Sequence, residues 1–145
     1  MQFKTVEESD LVTCSKLFLN VFNEEPWNDE WTLEKAEKYL SDFYQTPGFF
    51  GVSALENNEI IGFIFGVCRV WWSGDEFFIN EMCVNTDQQN KGVGKALINY
   101  LEKVMDANRI STISLLTDRG IPAEEFYKKN GFKEIDRIVF LSRDV

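Results

Sequence analysis

The sequence contains no histidine, and this absence excludes several kinds of active site. A Ser-His-Asp triad needs an imidazole as its general base, so a hydrolase of that type is excluded. Zinc sites are built mainly from histidine and cysteine, and the three cysteines lie far apart in the chain, at Cys14, Cys68 and Cys83. We therefore expect no metal site, and any general base has to be a carboxylate or a water chain.

Long apolar runs are also missing, which bears on the location of the protein. The longest run, residues 60–68, ends at Arg69, whereas a membrane-spanning helix needs about 20 apolar residues. The first six residues lack the apolar stretch of a secretory signal. An odd number of widely spaced cysteines is typical of free thiols in a reducing compartment. We expect a cytoplasmic protein without a membrane partner.

Basic side chains are scarce in the first part of the chain. Residues 1–81 carry 15 acidic and 5 basic side chains, a balance of −10, whereas residues 82–145 carry 9 and 10, a balance of +1. The total charge of −9 repels phosphate backbones, so nucleic acid is not an expected partner. This division suits a cationic ligand near the first part and an anionic ligand near the second, although a merely solvated acidic surface has the same counts.

The residues that are present predict a globular protein. With 145 residues, of which 44% are hydrophobic and 27% charged, residues 1–145 are expected to form a single domain. Hydrophobic periodicity predicts an α/β (α+β) fold in the order βααβββαβαββ, a mixed central sheet of about seven strands with about four flanking helices. The strands are predicted at residues 2–6, 49–55, 60–70, 77–84, 111–116, 132–135 and 137–142. The helices are predicted after Asp10, after Thr32, at residues 92–107 and between Pro122 and Gly131.

The most informative segment is residues 80–95, where a strand leads through a loop into a helix opened by Gly92 and Gly94. Without side chains at these glycines, an anion can approach the first backbone amides of the helix. Unpaired N–H groups and the positive end of the helix dipole favour a phosphate there, and Lys91 and Lys95 add charge. The alternative is an ordinary turn before a helix.

Two common phosphate-binding motifs do not fit this segment. A Walker loop needs glycine where Gln89 stands and a hydroxyl residue where Ala96 stands. A dinucleotide fingerprint needs a third glycine where Leu97 stands.

The hexapeptide Gln89-Asn90-Lys91-Gly92-Val93-Gly94 does match the acyl-CoA loop Gln/Arg-x-x-Gly-x-Gly/Ala, and residues 123–132 match Ala-x-x-Phe-Tyr-x-x-x-Gly-Phe. With its element order, the chain resembles the GNAT superfamily of N-acetyltransferases over essentially its full length. The resemblance implies transfer of an acetyl group from acetyl-CoA to a primary amine by direct attack in a ternary complex. One departure is Gly120, where many members have an asparagine that contacts pantetheine; Asp118 or Arg119 would have to replace that contact.

The resemblance also implies roles for individual residues. The fourth and fifth strands of the family separate around the pantetheine arm, so the cofactor-binding residues for acetyl-CoA (coenzyme A) would be Met82, Cys83, Val84, Gln89, Asn90, Lys91, Gly92, Val93, Gly94 and Lys95. Tyr127 matches the tyrosine near the leaving sulfur and would protonate the thiolate. Glu81, where related bacterial proteins often have glutamate, would be the base for the amine. No acyl-enzyme on Cys83 is expected, because no histidine activates it.

Each of these roles has an alternative. Tyr127 could be a core aromatic residue, and Glu81 could be a structural carboxylate, with a water relay as the base. The acyl chain could differ from acetyl, and the chain could be a catalytically weak acyl-CoA-binding regulatory or interaction module.

The acceptor site is expected in the acidic segment between the first two helices, which commonly borders the acceptor in this family. We expect Glu24, Trp27 and Trp31 to bind the acceptor, because carboxylates beside indole rings suit an ammonium group. The acceptor would be a small cationic amine such as a polyamine, an aminoglycoside or a peptide amine. The alternative is that the tryptophans pin the loop to the core while the carboxylates are solvated. The sequence leaves open whether the protein is a monomer or a homodimer.

Overall fold

Five strands form one mixed sheet in the computed structural model, which describes residues 1–145. The strands are β1 (Gln2–Thr5), β2 (Phe49–Glu56), β3 (Glu59–Arg69), β4 (Glu76–Val84) and β5 (Thr112–Leu115). The helices are α1 (Leu11–Phe22), α2 (Leu33–Tyr44), α3 (Val93–Ala107) and α4 (Pro122–Lys129), with short 3-10 turns at Glu8–Asp10 and Thr86–Gln88. None of the helices has the length and apolar character needed to cross a membrane.

The strands lie in the order β1-β2-β3-β4-β5, antiparallel up to β4, while β5 runs parallel to β4. The β2–β3 turn has positive φ angles at Asn57 (52°) and Asn58 (65°), which asparagine tolerates, so the predicted tight hairpin is confirmed. Residues 61–67 of β3 are buried, as expected for a central strand.

Helices cover both faces of the sheet and enclose two separate cores. On one face α1 and α2 pack over β3 around Phe18, Phe63 and Phe65. On the other face α3 packs over β2, β3 and β4 through Leu97 and Leu101, with side chains of α4 beside it. Mixed strand directions and helices on both faces confirm the predicted α/β class.

The prediction of about seven strands was wrong, because residues 132–135 and 137–142 form no strand. Their apolar side chains identified them as candidates, but a strand also needs a neighbouring backbone with which to form a ladder. Here the backbone hydrogen bonds of the segment are local: the Phe132 N–H donates to the Tyr127 carbonyl, and the Ile138 N–H donates to the Ile135 carbonyl. Phe140 and Leu141 remain 75% and 84% exposed. The sheet therefore ends at β5.

Candidate active site

The two last strands of the sheet diverge halfway along their length. β4 pairs with β5 from Glu76 opposite Thr112 to Ile79 opposite Leu115, and the ladder stops there. Residues 81–84 continue to pair with β3 alone, so the opposite backbone edge of β4 has no strand partner over this stretch. The divergence predicted from the family resemblance is therefore present, and it leaves main-chain donors and acceptors free.

A β-bulge lies at the point of divergence. On β3, Phe65 pairs with Glu81 while the next residue, Gly66, pairs with Ile79, so Asn80 is an extra residue on β4. Side chains alternate between the faces of a strand, and an extra residue reverses the alternation beyond it. Ile79 accordingly packs on the α3 side, whereas Cys83 belongs to the core beneath α1 and α2. The bulge thus turns Glu81 toward α2.

A cavity of about 350 Å³ occupies the space where the strands diverge. Its walls come from β4, from the end of β5 and the loop after it, from α4, from the end of α1 with the loop that follows, and from Phe140 near the end of the chain. The lining residues are Phe22, Trp27, Ile79, Asn80, Glu81, Met82, Leu115, Leu116, Thr117, Asp118, Ala123, Tyr127 and Phe140. Both residues predicted to be catalytic, Glu81 and Tyr127, line this one cavity.

Glu81 has an unusual environment for a carboxylate. Burial raises its pKa to about 7, and the negative charge of Asp29 acts in the same direction. A hydrogen bond from the Tyr39 hydroxyl to Glu81 Oε1, 2.5 Å long, opposes this rise because it stabilises the ionised form. A carboxyl group with this pKa can accept a proton near neutral pH.

Tyr127 lies on α4 and packs edge-on against Phe126 and Phe132, with ring centroids 5.3 and 5.6 Å away. Burial raises the pKa of its phenol above the ordinary value, and Glu81 and Cys83 add to this rise. The phenol is therefore neutral at physiological pH and can donate a hydrogen bond into the cavity.

The loop between β4 and α3 is fixed by polar contacts of its own. The Asn85 side chain accepts from the Asp87 N–H, and Gln89 Nε2 donates to the Val84 carbonyl at 3.0 Å. Asn90 and Gly92 have positive φ angles of 63° and 84°. No side chain caps the N-terminus of α3, so its first N–H groups remain available.

The two glycines of this loop have different surroundings. A Cβ atom added at Gly92 would meet nothing within 4 Å, so the surface above it is open to a ligand. A Cβ at Gly94 would lie 2.9 Å from the Phe126 ring, so this glycine allows α4 to pack against α3. Both glycines were expected to admit an anion, but the contact at Gly94 is a packing contact. It joins the two sequence motifs in space.

The predicted acceptor residues fall in different places. Trp27 lines the cavity and packs edge-on against Phe22, with centroids 4.8 Å apart. Trp31 is not among the lining residues; its ring packs against Phe18 of the core, and its Nε1 donates to Asp29 Oδ2 at 3.0 Å.

Glu24 also lies outside the cavity lining. Its side chain is exposed, and Oε2 accepts from the Thr86 hydroxyl at 3.4 Å, which connects the α1–α2 segment with the β4–α3 loop. Lys91 and Lys95 are exposed near the start of α3. Of the two residues that could compensate for Gly120, Asp118 lines the cavity, while Arg119 pairs with Glu134.

Sequence reasoning missed Tyr39 and Asn80. Tyr39 belongs to the apolar stripe of α2, and a hydroxyl group at such a position signals a buried polar partner. The Asn80 side-chain oxygen is buried without a hydrogen-bond partner, and no sequence pattern marked the bulge that places it there. No group of three or more histidine, cysteine, aspartate or glutamate side chains converges as a metal site.

Comparison with known proteins agrees with this geometry. The model of the acetyltransferase (GNAT) family matches residues 13–132. No curated protein matches the sequence. Similar solved structures include an aminoglycoside acetyltransferase from an uncultured soil metagenomic sample, in complex with sisomicin, with 18% identity and a TM-score of 0.78, covering 99% of this chain and 95% of that one.

Two further structures are similar over 99% of both chains, each with 15% identity and a TM-score of 0.78. One is a ribosomal-protein-alanine N-acetyltransferase from Brucella melitensis biovar Abortus 2308, and the other is a transcriptional regulator from Bacillus halodurans C-125. At these identities the likeness establishes the fold alone.

Proposed function

The chain belongs to the acetyltransferase (GNAT) family, and from this premise we propose that it transfers an acetyl group from acetyl-CoA to the primary amine of a small cationic acceptor. The observation that carries the proposal is the cavity between the diverging strands, which has Glu81 and Tyr127 among its lining residues. We also propose that residues 1–145 act as one domain, because one sheet carries both cores.

The residues present suit acetyl-CoA as the donor substrate. The unpaired edge of β4 at Met82, Cys83 and Val84 offers backbone groups to the amides of the pantetheine arm. The loop of residues 89–95, with its uncapped helix end and open surface over Gly92, suits a pyrophosphate. Cys83 contributes its backbone alone, since its side chain is buried and burial raises the pKa of the thiol.

In the proposed reaction the amine attacks uncharged. Deprotonating an alkyl ammonium with a pKa near 10.4 costs about 4.6 kcal/mol at neutral pH, so a base is needed. Glu81 has a pKa suited to this task, and one of its oxygens, Oε2, makes no hydrogen bond within the protein. Glu81 accepts the ammonium proton and passes it to solvent, and the neutral amine then attacks the thioester carbonyl. The tetrahedral adduct gives its second nitrogen proton to Glu81, and the C–S bond breaks as the C=O bond re-forms, which releases the thiolate.

We assign Tyr127 to the departing sulfur. A thiol has an ordinary pKa of about 8.5, which is lower than the raised pKa of the buried Tyr127 phenol. Full transfer of the phenol proton to a thiolate is therefore unfavourable. The raised pKa therefore favours Tyr127 as a hydrogen-bond donor that stabilises the thiolate while the C–S bond breaks, rather than as a full proton donor.

We assign the acceptor class from the charges around the cavity. Asp29 acts electrostatically on Glu81, and Trp27 contributes an aromatic face that can bind an ammonium group. The similar structure bound to sisomicin is an aminoglycoside acetyltransferase, which is consistent with a polyamine or aminoglycoside acceptor here. Glu24 and Trp31, outside the cavity lining, would contribute through charge and through support of the loop.

The test is thiol release from acetyl-CoA over a panel of polyamines, aminoglycosides, amino acids, peptide N-termini and neutral amines. We expect turnover of polycationic amines, with a KM that rises with salt because exposed charges are screened within about 8–10 Å. Equal turnover of neutral amines without salt dependence would contradict the acceptor class. Thermal stabilisation by coenzyme A without turnover on any amine would instead identify a regulatory binding module.

A further inference from the structure

Tyr39 links α2 to the bulged part of β4. Its hydroxyl donates to Glu81 Oε1 at 2.5 Å, and this is the only hydrogen bond that the Glu81 side chain makes within the protein. Neither the family motifs nor the spacing of charged residues pointed to Tyr39, and its ring does not line the cavity. It contacts the catalytic carboxylate from the side of the core.

The ring of Tyr39 is held by aromatic neighbours on several sides. Its centroid lies 5.6 Å from that of Phe18, 5.1 Å from Trp31 and 4.8 Å from Phe43. Trp31 is itself fixed, because its backbone exchanges hydrogen bonds of 2.9 and 2.8 Å with the Asn23 side chain. The position of the hydroxyl is therefore set by packing, and the carboxylate takes its orientation from the hydroxyl.

We propose that Tyr39 is a positioning residue for the general base: it holds Glu81 Oε1, which leaves Oε2 as the oxygen that takes the amine proton. This inference rests on the proposed function, in which Glu81 is the base. Holding a carboxylate by one oxygen removes the rotational freedom that it would otherwise lose on reaching the transition state.

The hydroxyl also acts on the ionisation of Glu81. The groups facing this carboxylate are Tyr39 on α2, Asp29 in the α1–α2 segment, Tyr127 on α4 and Cys83 on β4. Burial and Asp29 raise the pKa of Glu81, whereas the hydrogen bond from Tyr39 lowers it. Tyr127 and Cys83 are neutral at physiological pH because burial raises the pKa of each. Loss of the hydroxyl would therefore raise the pKa of Glu81 further.

The test compares Tyr39→Phe with Tyr44→Phe, which removes a hydroxyl from the same helix outside the cavity, and with Glu81→Gln. The pH dependence of kcat/KM for the acceptor is measured for each at saturating acetyl-CoA. The acidic limb that disappears in Glu81→Gln should move to higher pH by about one unit in Tyr39→Phe, because a hydrogen bond to the ionised form has been lost. Tyr44→Phe should keep the wild-type profile.

A second measurement needs no substrate. Carbon NMR of side-chain-labelled glutamate, with Glu81 identified by its absence in Glu81→Gln, follows the titration directly in the wild type and in Tyr39→Phe. If Tyr39→Phe fails to fold, 3-fluorotyrosine at position 39, a stronger donor, should move the titration of Glu81 to lower pH.

The outcomes separate the two proposals. If Glu81→Gln keeps the acidic limb and full activity, Glu81 is not the base and the proposed mechanism fails. If Glu81→Gln abolishes the limb while Tyr39→Phe titrates at the wild-type pH in both measurements, the base stands and Tyr39 has a structural role alone. A uniform drop in rate without movement of the limb also overturns the inference.

Discussion

The α3 face of the sheet is packed mainly with aliphatic side chains, such as Ile64, Leu97 and Leu101, whereas the α1–α2 face is richer in aromatic ones, such as Phe18, Phe63 and Phe65. Aliphatic side chains bury apolar area and need no hydrogen-bond partner, but the rings of tyrosine and tryptophan carry a polar group that needs a partner when it is buried. On the aromatic face these tips reach Asp29 and Glu81. The same sheet therefore has one face that holds α3, the helix proposed to bind the pyrophosphate, and another that can contain a half-buried carboxylate.

The first and largest test of this comparison is Glu81→Gln. The change keeps the shape of the side chain but removes the proposed base, and we expect kcat/KM to fall by about 10²–10⁴-fold at neutral pH. Steady-state thiol release measures the loss. Glu102→Gln, an exposed change on α3, is the matched control, and equal activity of both variants would contradict the role of Glu81.

The second test removes volume from the aliphatic face. Leu97 is fully buried, so Leu97→Ala should lower the free energy of unfolding by about 2–5 kcal/mol while KM for the acceptor changes little in the folded protein. Urea unfolding and activity below the transition are the measurements. Val12→Ala, at a side chain that is 48% exposed, should shift stability by less than about 0.5 kcal/mol. A strongly raised KM for the acceptor in Leu97→Ala would show that packing on the α3 face and acceptor binding are not independent.

The third test measures how much the buried, ionised carboxylate of Glu81 destabilises the folded protein. The pKa of Glu81 is raised to about 7 in the folded protein from an ordinary value of 4.5, so the folded state binds a proton more tightly than the unfolded one. This contribution to stability is present at low pH and is lost as the pH rises through about 7. The free energy of unfolding of Glu81→Gln, taken relative to that of the wild type, should therefore increase by about 1–3 kcal/mol from pH 5 to pH 8. Urea unfolding at both pH values measures the gain, and a constant difference would contradict it.

The smallest expected effect comes from the α4 side of the cavity. Tyr127→Phe keeps the packing against Phe126 and Phe132 but removes the hydroxyl group. We expect kcat to fall by about tenfold, the value of one hydrogen bond to a developing charge, with KM for acetyl-CoA nearly unchanged. Unaltered turnover would remove Tyr127 from the reaction and leave it as a core residue.

Local features were predictable from the sequence. The glycine-containing loop before α3, the α4 motif and the Asn57-Asn58 turn each depend on a few neighbouring residues, and the structure has the predicted loop, helix and turn at these positions. The separation of β4 from β5 was predictable only through the family resemblance, because no residue in either strand marks where the ladder stops.

Features that join distant parts of the chain were not predictable. The bulge at Asn80 depends on the register between β3 and β4, and nothing in the sequence of β4 alone sets that register. Tyr39 and Glu81 form a hydrogen bond although they are far apart in sequence. Gly94 was predicted to make room for a bound anion, whereas in the structure it makes room for the Phe126 ring of α4. The prediction of strands at residues 132–135 and 137–142 was wrong for the converse reason, because an apolar pattern in the sequence does not show whether a neighbouring strand is available for pairing.

The extra residue at position 80 bears on how this fold tolerates the insertion or deletion of a residue in β4. Deleting the codon for Asn80 would remove the bulge and make Ile79 and Glu81 successive residues opposite Gly66 and Phe65 of β3, so that each would keep the face of the sheet that it occupies now. The helices and the cofactor loop would need no change in sequence. One codon can therefore be gained or lost here without moving the Glu81 carboxylate to the other face of the sheet, because the bulge confines the change to a single residue, whereas the same insertion without a bulge would place Glu81 on the α3 face.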